Sequence, residues 1–192
     1  MQKSLPEAQE RQLIEQARRH PDAFRALYRH YFPRVYAYAA ARVGRRQDAE
    51  DVVADVFLHV VEALASFDYR GAGSFAAWIF RIAHNRVSQH YRDHGTADVA
   101  LDDVGDLHSD RPPPDEALAD KELAAHLRGL VRKLPPRRQE VITLKFFGGL
   151  RNTEIAAVLE LDERTVASHL CRALDDLQRM VTANELEKEN PT

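Results

Sequence analysis

The sequence predicts an all-α protein built as two small helical domains joined by a flexible acidic linker. Three observations carry that prediction. Apolar residues recur at helical spacing in block after block, and no stretch alternates in the manner of a strand. Between the blocks, residues 95–118 are acidic, contain three consecutive prolines and lack sustained periodicity. The domains are expected at 21–94 and 119–181, with an N-terminal extension over 1–20, helical in part, and a C-terminal tail over 182–192.

Composition bounds what such a chain can be. Its 192 residues suit one ordinary domain or two small ones, and 44% hydrophobic with 30% charged residues is the balance of a soluble globular protein. No apolar run approaches the roughly 18 residues of a membrane span. The start, MQKSLPEAQERQ, has no apolar signal region, so membrane insertion is not expected and a cytoplasmic location is. A single cysteine, Cys171, excludes an internal disulfide framework and a Cys-based zinc finger, and no redox role is expected of it.

The formal net charge of -3 argues against nucleic acid until it is divided along the chain. Residues 65–94 carry four basic and two acidic groups, and residues 121–181 carry eleven and eight. Residues 95–120 carry one basic and eight acidic groups. Two mildly basic bodies therefore flank an acidic connector.

The first helix of the first domain is expected over Asp22 to Val43, with Phe24, Leu27, Tyr28, Tyr31, Val35 and Tyr38 as its buried stripe and Pro33 kinking or dividing it. GRRQ breaks the pattern. DAEDVVADVFLHVVEAL then forms a strong helix, with apolar pairs at 52/53, 56/57 and 60/61 closed by Leu64. SFDYRGAG reads as a loop, and Ser74 as the N-cap of the next helix. On that helix, which runs to His94, Phe75, Ile79, Ile82, Ala83 and Val87 share one arc, while Arg81, His84, Asn85, Ser88 and Arg92 share the other. Trp78, the one tryptophan in the chain, falls on the seam. An indole there serves either as core with its N–H at the surface or as a platform on which bases stack.

Helical pattern resumes near Lys121. LPPRRQEVITLKFFGGL supplies a proline-started helix ended by Gly148 and Gly149. TEIAAVL and ERTVASHLCRALDDLQ follow as two helices separated by about three residues, which is helix-turn-helix spacing. Ile155, Leu159, Leu161, Val166, Leu170 and Leu174 form the expected core stripe, and Ala156 is small where the helices cross. Asp162 is placed to cap the second helix, leaving Arg164, Thr165, Ser168, His169 and Arg172 to face DNA. Glu160 occupies the turn position that favours glycine, and a non-glycine residue held there at positive φ costs about 1 kcal/mol.

The helix at 48–64 raises a separate question. Asp48, Asp51, Asp55 and Glu62 form one acidic stripe beside the apolar one, Leu58 borders it, and no residue from 47 to 64 is Lys or Arg. Like charges so close repel unless something basic meets them. A solvated face accounts for the charge alone, whereas the outward Leu58 favours a protein partner.

In order, AFRALYRHYFPRVYAYA, DAEDVVADVFLHV, SFAAWIFRIAHNR, the acidic linker, LPPRRQEVITLKFFGGL and EIAAVL…TVASHLCRAL resemble bacterial sigma factors of the extracytoplasmic-function group, within the sigma-70 family, over about residues 20 to 180. The resemblance implies a sigma-2 helical bundle and a sigma-4 helix-turn-helix domain. It implies that the chain is not an enzyme, needs no cofactor or metal, and directs core RNA polymerase to promoters. Asp48, Glu50, Asp51, Asp55, Leu58 and Glu62 would dock on the polymerase clamp coiled-coil, and the polymerase flap is a further expected contact. Asp68, Tyr69, Arg70, Trp78, Arg81, His84, Asn85, Ser88 and Arg92 would read and open the -10 element, capturing a flipped base of one strand. Arg151, Asn152, Thr153, Arg164, Thr165, Ser168, His169 and Arg172 would read the -35 duplex. The acidic linker would thread the RNA exit path, and an anti-sigma factor would cover the working faces. Departures include Ala167 and His169 where Lys and Arg are frequent, and His84 and Gln89 where Arg and Asp are common, so the promoter sequence does not carry over. The alternative is a stand-alone helix-turn-helix regulator, which leaves the acidic stripe and the helix at 74–94 unexplained. His90 and His94 have metal-compatible spacing, but no carboxylate or cysteine set completes a site.

Overall fold

The computed structural model describes residues 5–94 and 125–189, the side chains beyond 183 excepted. The expected linker at 95–118 lies outside the described residues. Every regular element among them is helical: α1 Glu7–Ala17, α2 Pro21–Val43, α3 Arg46–Ala63 with a 3₁₀ turn Leu64–Ser66, α4 Ser74–His94, α5 125–132, α6 Pro136–Ile142 with a π turn Thr143–Phe147, α7 Asn152–Leu159 and α8 Glu163–Glu189. None of these helices is long and apolar enough to cross a membrane.

In the first domain α2 packs between α1 and α3, and α4 packs on α2 and α3. Leu27, Tyr31, Val35 and Tyr38 are buried as the spacing predicts, with Phe24 and Tyr28 half-buried at the margin. Pro33 neither divides nor ends α2, which is one helix from Pro21 to Val43. Tyr31 and Val35, on either side of the proline, are anchored in the core, and that packing outweighs the hydrogen bond the ring removes. Gly44 then ends the helix at φ 87°, the left-handed conformation a glycine adopts without strain. The 1–20 extension is helical where α1 forms, and α1 is packed on α2 rather than trailing from it.

Phe75, Ile79, Ile82, Ala83 and Val87 of α4 are all buried. Ser74 is the first residue of α4, and its hydroxyl donates to the Gly71 carbonyl at 2.7 Å and accepts from the Arg70 amide at 3.2 Å. It therefore closes the preceding turn instead of capping the helix.

In the second domain Pro136 opens α6, Gly148 and Gly149 follow the π turn, and α7 and α8 are separated by three residues. Leu174 corrects the expected core stripe. It is 47% exposed, and Ala173 is buried in its place against Val131, Leu134 and Ile142. Seven residues past Val166 is 173, so the buried line follows 166, 170, 173 and 177. Helix α8 also continues through Glu189, beyond the boundary expected at 181.

The two domains touch. Helix α4 packs on α7, and α2 packs on the π turn. Val141, Leu144, Leu150, Ile155 and Val158 belong to the same contiguous apolar cluster as the core of the first domain. Around that apolar contact run arginines: Arg34 Nε donates to the Gly148 carbonyl at 2.9 Å, and Arg42 Nη1 to Gln139 Oε1 at 3.0 Å.

Candidate nucleic-acid and protein interfaces

The loop between the 3₁₀ turn and α4 carries Asp68, Tyr69 and Arg70. Phe67 roots it in the core, with ring centroids 4.8 Å from Trp78 and 5.3 Å from Phe75. Asp68 and Arg70 are exposed and pair with each other at 3.1 Å. Tyr69 is half-buried, with its hydroxyl turned toward α1. Trp78 is half-buried too and packs on both Phe67 and Phe75, so the indole is part core and part surface.

Along α4 the predicted polar arc divides. Asn85 and Arg92 are exposed and Ser88 is half-buried. Arg81 and His84 are turned toward the second domain. Arg81 donates to the Ala157 carbonyl and lies 3.6 Å from the Glu160 carboxylate. His84 Nδ1 lies 3.4 Å from the Tyr38 hydroxyl, and burial holds its pKa below the ordinary histidine value, with Glu140 opposing and Arg42 and Arg137 reinforcing that shift. Neither side chain is free on an open face in this conformation.

The helix-turn-helix bears out its local chemistry. Glu160 ends α7 at φ 56°, ψ 45°, the left-handed turn expected of that position. Asp162 caps α8, its carboxylate accepting the Thr165 amide at 2.8 Å and the Thr165 hydroxyl at 2.6 Å. These hydrogen bonds hold the Asp162 carboxyl below its ordinary value. They also engage Thr165, which is half-buried with its hydroxyl donating to the cap. Arg164, Ser168 and Arg172 are exposed, and His169 is half-exposed beside them. At the start of α7, Glu154 accepts the Arg151 amide at 2.7 Å and its guanidinium at 2.8 Å, and Arg151 reaches across to the Ala72 carbonyl at 3.2 Å. Hydrogen bonding to Glu154, then its charge, raises the Arg151 pKa. Asn152 accepts from Lys145 Nζ at 3.0 Å, and Thr153 is exposed.

On α3 the acidic stripe is less uniform than its sequence. Arg46, one residue ahead of the stretch read as lacking a cation, pairs with Glu50 at 2.8 Å, and His90 Nε2 of α4 lies 3.6 Å from Asp48. Asp51, Asp55 and Glu62 remain exposed. Leu58 is 59% exposed, and Val61 beside it is 55% exposed. Val61 escapes the sequence reading because its pairing with Val60 reads as core; its i, i+3 relation to Leu58 is the signal that places it outside.

An open helix-turn-helix face, a basic helix with a half-buried tryptophan, and an acidic helix with outward aliphatics define a helical DNA reader that also presents a protein-docking face. The comparisons with known proteins identify the class. Residues 27–96 match the family model of Sigma-70 region 2, and residues 126–177 that of Sigma-70, region 4. The chain is 32% identical over 172 residues to the ECF RNA polymerase sigma factor BldN of Streptomyces coelicolor, covering 88% of itself and 65% of that protein. It is 28% identical over 185 residues to the RNA polymerase sigma-H factor of Pseudomonas aeruginosa, covering 91% of itself and 95% of that protein. With the sigma factor CnrH of Cupriavidus metallidurans it shares 31% identity over 145 residues, 71% of this chain and 75% of that one. The fold is similar to CnrH solved in complex with the cytosolic domain of CnrY, with a TM-score of 0.68, 27% identity, and coverage of 91% of this chain and 98% of that chain.

The chain belongs to the extracytoplasmic-function group of the sigma-70 family.

Proposed function

We propose that this protein binds core RNA polymerase in the cytoplasm and directs it to promoters, making and breaking no bond itself. The observation that carries the reading is the coexistence of two working faces. The exposed Asp51, Asp55, Leu58, Val61 and Glu62 of α3 suit a basic, partly apolar helical partner, while Arg164, Ser168 and Arg172 of α8 suit a major groove. A stand-alone regulator needs only the second face.

Polymerase is met through α3 and, at its flap, through the second domain. Helix α4 and the loop at 67–73 then open the -10 element. Each base-pair step unstacked costs about 1.4 kcal/mol. Capture of an extruded base by Asp68, Tyr69 and Arg70, with stacking near Trp78, offsets that cost. Arg81, Asn85, Ser88 and Arg92 line the path of the strand. His84 borders it, and helix α8 with the start of α7 reads the -35 duplex.

Simultaneous reading requires the domains to part. The two elements lie on the order of 25 base pairs apart, about 85 Å at 3.4 Å per pair, whereas α4 and α7 are in contact here. Polymerase binding supplies the free energy that exposes the apolar centre of that contact. An anti-sigma partner acts by covering these faces; CnrH, which is similar in fold, is solved in complex with the cytosolic domain of a second protein, CnrY.

In vitro transcription with core polymerase on genomic fragments, with start sites mapped, tests the reading. Specific transcripts that appear only when the chain is added are expected. A chain that leaves core polymerase silent yet binds a palindromic duplex by itself would be a regulator instead.

A further inference from the structure

Helix α1 lies outside the residues matched to Sigma-70 region 2, which begin at 27. It nevertheless holds the loop at 67–73 from behind. Arg18, just past the end of α1, donates to the Phe67 carbonyl. Near the other end, the Tyr69 hydroxyl lies 3.5 Å from both the Glu7 carbonyl and Glu10 Oε2. Glu10 is only 5% exposed, and its other oxygen accepts from the hydroxyl of Tyr31, a residue buried in the core.

A carboxylate at that depth is a poor way to gain stability. Removing it from water carries a desolvation penalty, and a well-packed apolar side chain of similar volume does as well or better. What a carboxylate adds is direction, because its two oxygens fix two phenols at once. Burial and the charge of Glu10 both raise the Tyr31 and Tyr69 pKa values, so each phenol stays a donor. Tyr31 anchors Glu10 to α2, and Glu10 in turn meets the tyrosine of the loop.

We infer that α1 is a strap that sets the base-capturing loop, with Glu10 and Arg18 as positioning residues for -10 opening, acting through Tyr69 and the Phe67 backbone. The inference rests on the sigma-factor reading above. Without the strap, the loop has its apolar root at Phe67 but loses the contacts that orient the ring of Tyr69 and the exposed Asp68–Arg70 pair beside it. Polymerase docking on α3 does not involve these contacts.

The test uses full-length chain in holoenzyme on a promoter mapped by the transcription experiment. Two quantities are read: the concentration of chain that half-saturates core polymerase, and the rate of strand opening at saturation, followed by permanganate reactivity of unpaired thymines. Glu10→Ala and Arg18→Ala are each expected to slow opening about fivefold to tenfold and to leave half-saturation within twofold. Glu10→Gln, which keeps an acceptor, restores most of the rate. Tyr69→Phe removes only the hydroxyl, and its effect and that of Glu10→Ala do not add in the double variant. Circular dichroism melting of each variant separates a strap from a brace. Opening defects that scale with lost stability, additive Glu10 and Tyr69 effects, or wild-type opening in Glu10→Ala would each overturn the inference. A wild-type chain that starts no transcript would instead overturn the sigma-factor reading on which it rests.

Discussion

Replacing Trp78 by alanine separates core from platform. The indole packs at 4.8 Å on Phe67 and 5.5 Å on Phe75, and aromatic pairs of that kind contribute about 0.5–1.5 kcal/mol each beyond area burial. Full burial puts a Trp→Ala change at roughly 3–5 kcal/mol, and because Trp78 is only half-buried the expected loss is about 2–3 kcal/mol. Against a domain stability of about 5–15 kcal/mol, the variant stays folded. On the proposed reading the exposed part of the ring meets a base, and stacking of one base is worth about 1–3 kcal/mol. Opening is therefore expected to slow about tenfold while polymerase affinity holds. Unfolding in urea must be followed by circular dichroism, because the substitution removes the chain's one tryptophan and with it the usual fluorescence signal. Strand opening is read by permanganate, and Trp78→Phe should recover part of it. A chain already unfolded in water, or opening at the wild-type rate in a folded variant, refutes the argument.

Leu58→Asp should weaken core polymerase binding at least tenfold and cost only about 1 kcal/mol of stability, because the side chain is exposed and the loss is confined to helix propensity and repulsion from Asp55 and Glu62; competition against a labelled wild-type chain measures the binding. Glu160→Gly should raise stability by about 1 kcal/mol in urea unfolding, since φ 56° no longer carries a Cβ. Arg34→Ala removes the hydrogen bonds to Gly148 and Gly149 and should lower energy transfer between dyes at Cys171 and at a cysteine replacing Gln12, as core polymerase is expected to do for the wild type; unchanged transfer in both cases would contradict domain separation. Stability should fall with acid in two windows. Burial first holds the His30 and His84 pKa values below the ordinary histidine value, so the unfolded chain binds more protons. That contribution is complete above about pH 6.5 and shrinks below it. The capped Asp162 and the arginine-paired Asp176 have lowered carboxyl pKa values, so their contribution persists into the carboxylate range and is lost only as pH falls through it. Urea midpoints across a pH series check both windows, and His84→Gln should flatten the first.

Local patterns carried the helices, and the reasons are visible residue by residue. The arcs of α4 separated its core from its surface because five buried positions repeat at helical spacing. Glu160 and Asp162 were legible because turn and cap chemistry act within a few residues. Pro33 leaves α2 undivided where packing outweighs propensity, and Leu174 departs from expectation where the expected stripe drifts one residue from the line through Val166 and Ala173. What no periodicity reveals is contact between distant segments. The pairing of His90 with Asp48, the placement of Arg81 against Ala157, and the burial of Glu10 beneath Tyr69 all join residues dozens of positions apart.

Arg81 and Arg151 show why a domain contact can be both specific and releasable. Each guanidinium directs at least one donor to a backbone carbonyl of the other domain, Ala157 or Ala72. A carbonyl is a neutral acceptor, and charge-assisted bonds to a phosphate, where both partners are charged, are stronger and bidentate when geometry permits. On the proposed sigma-factor reading, the donors that hold the domains together are the ones a promoter would draw away once polymerase has begun to part them. That exchange has a salt signature. Closure through the carbonyls is nearly indifferent to salt, and the exposed Arg81–Glu160 pair adds only a weak, screened contribution, whereas every arginine that neutralises a phosphate releases condensed counterions and steepens the salt dependence of binding. Arg81→Gln should therefore flatten the salt slope of promoter binding by about one unit while loosening the free chain, and a slope identical to the wild type would mean that Arg81 never leaves Ala157 for DNA.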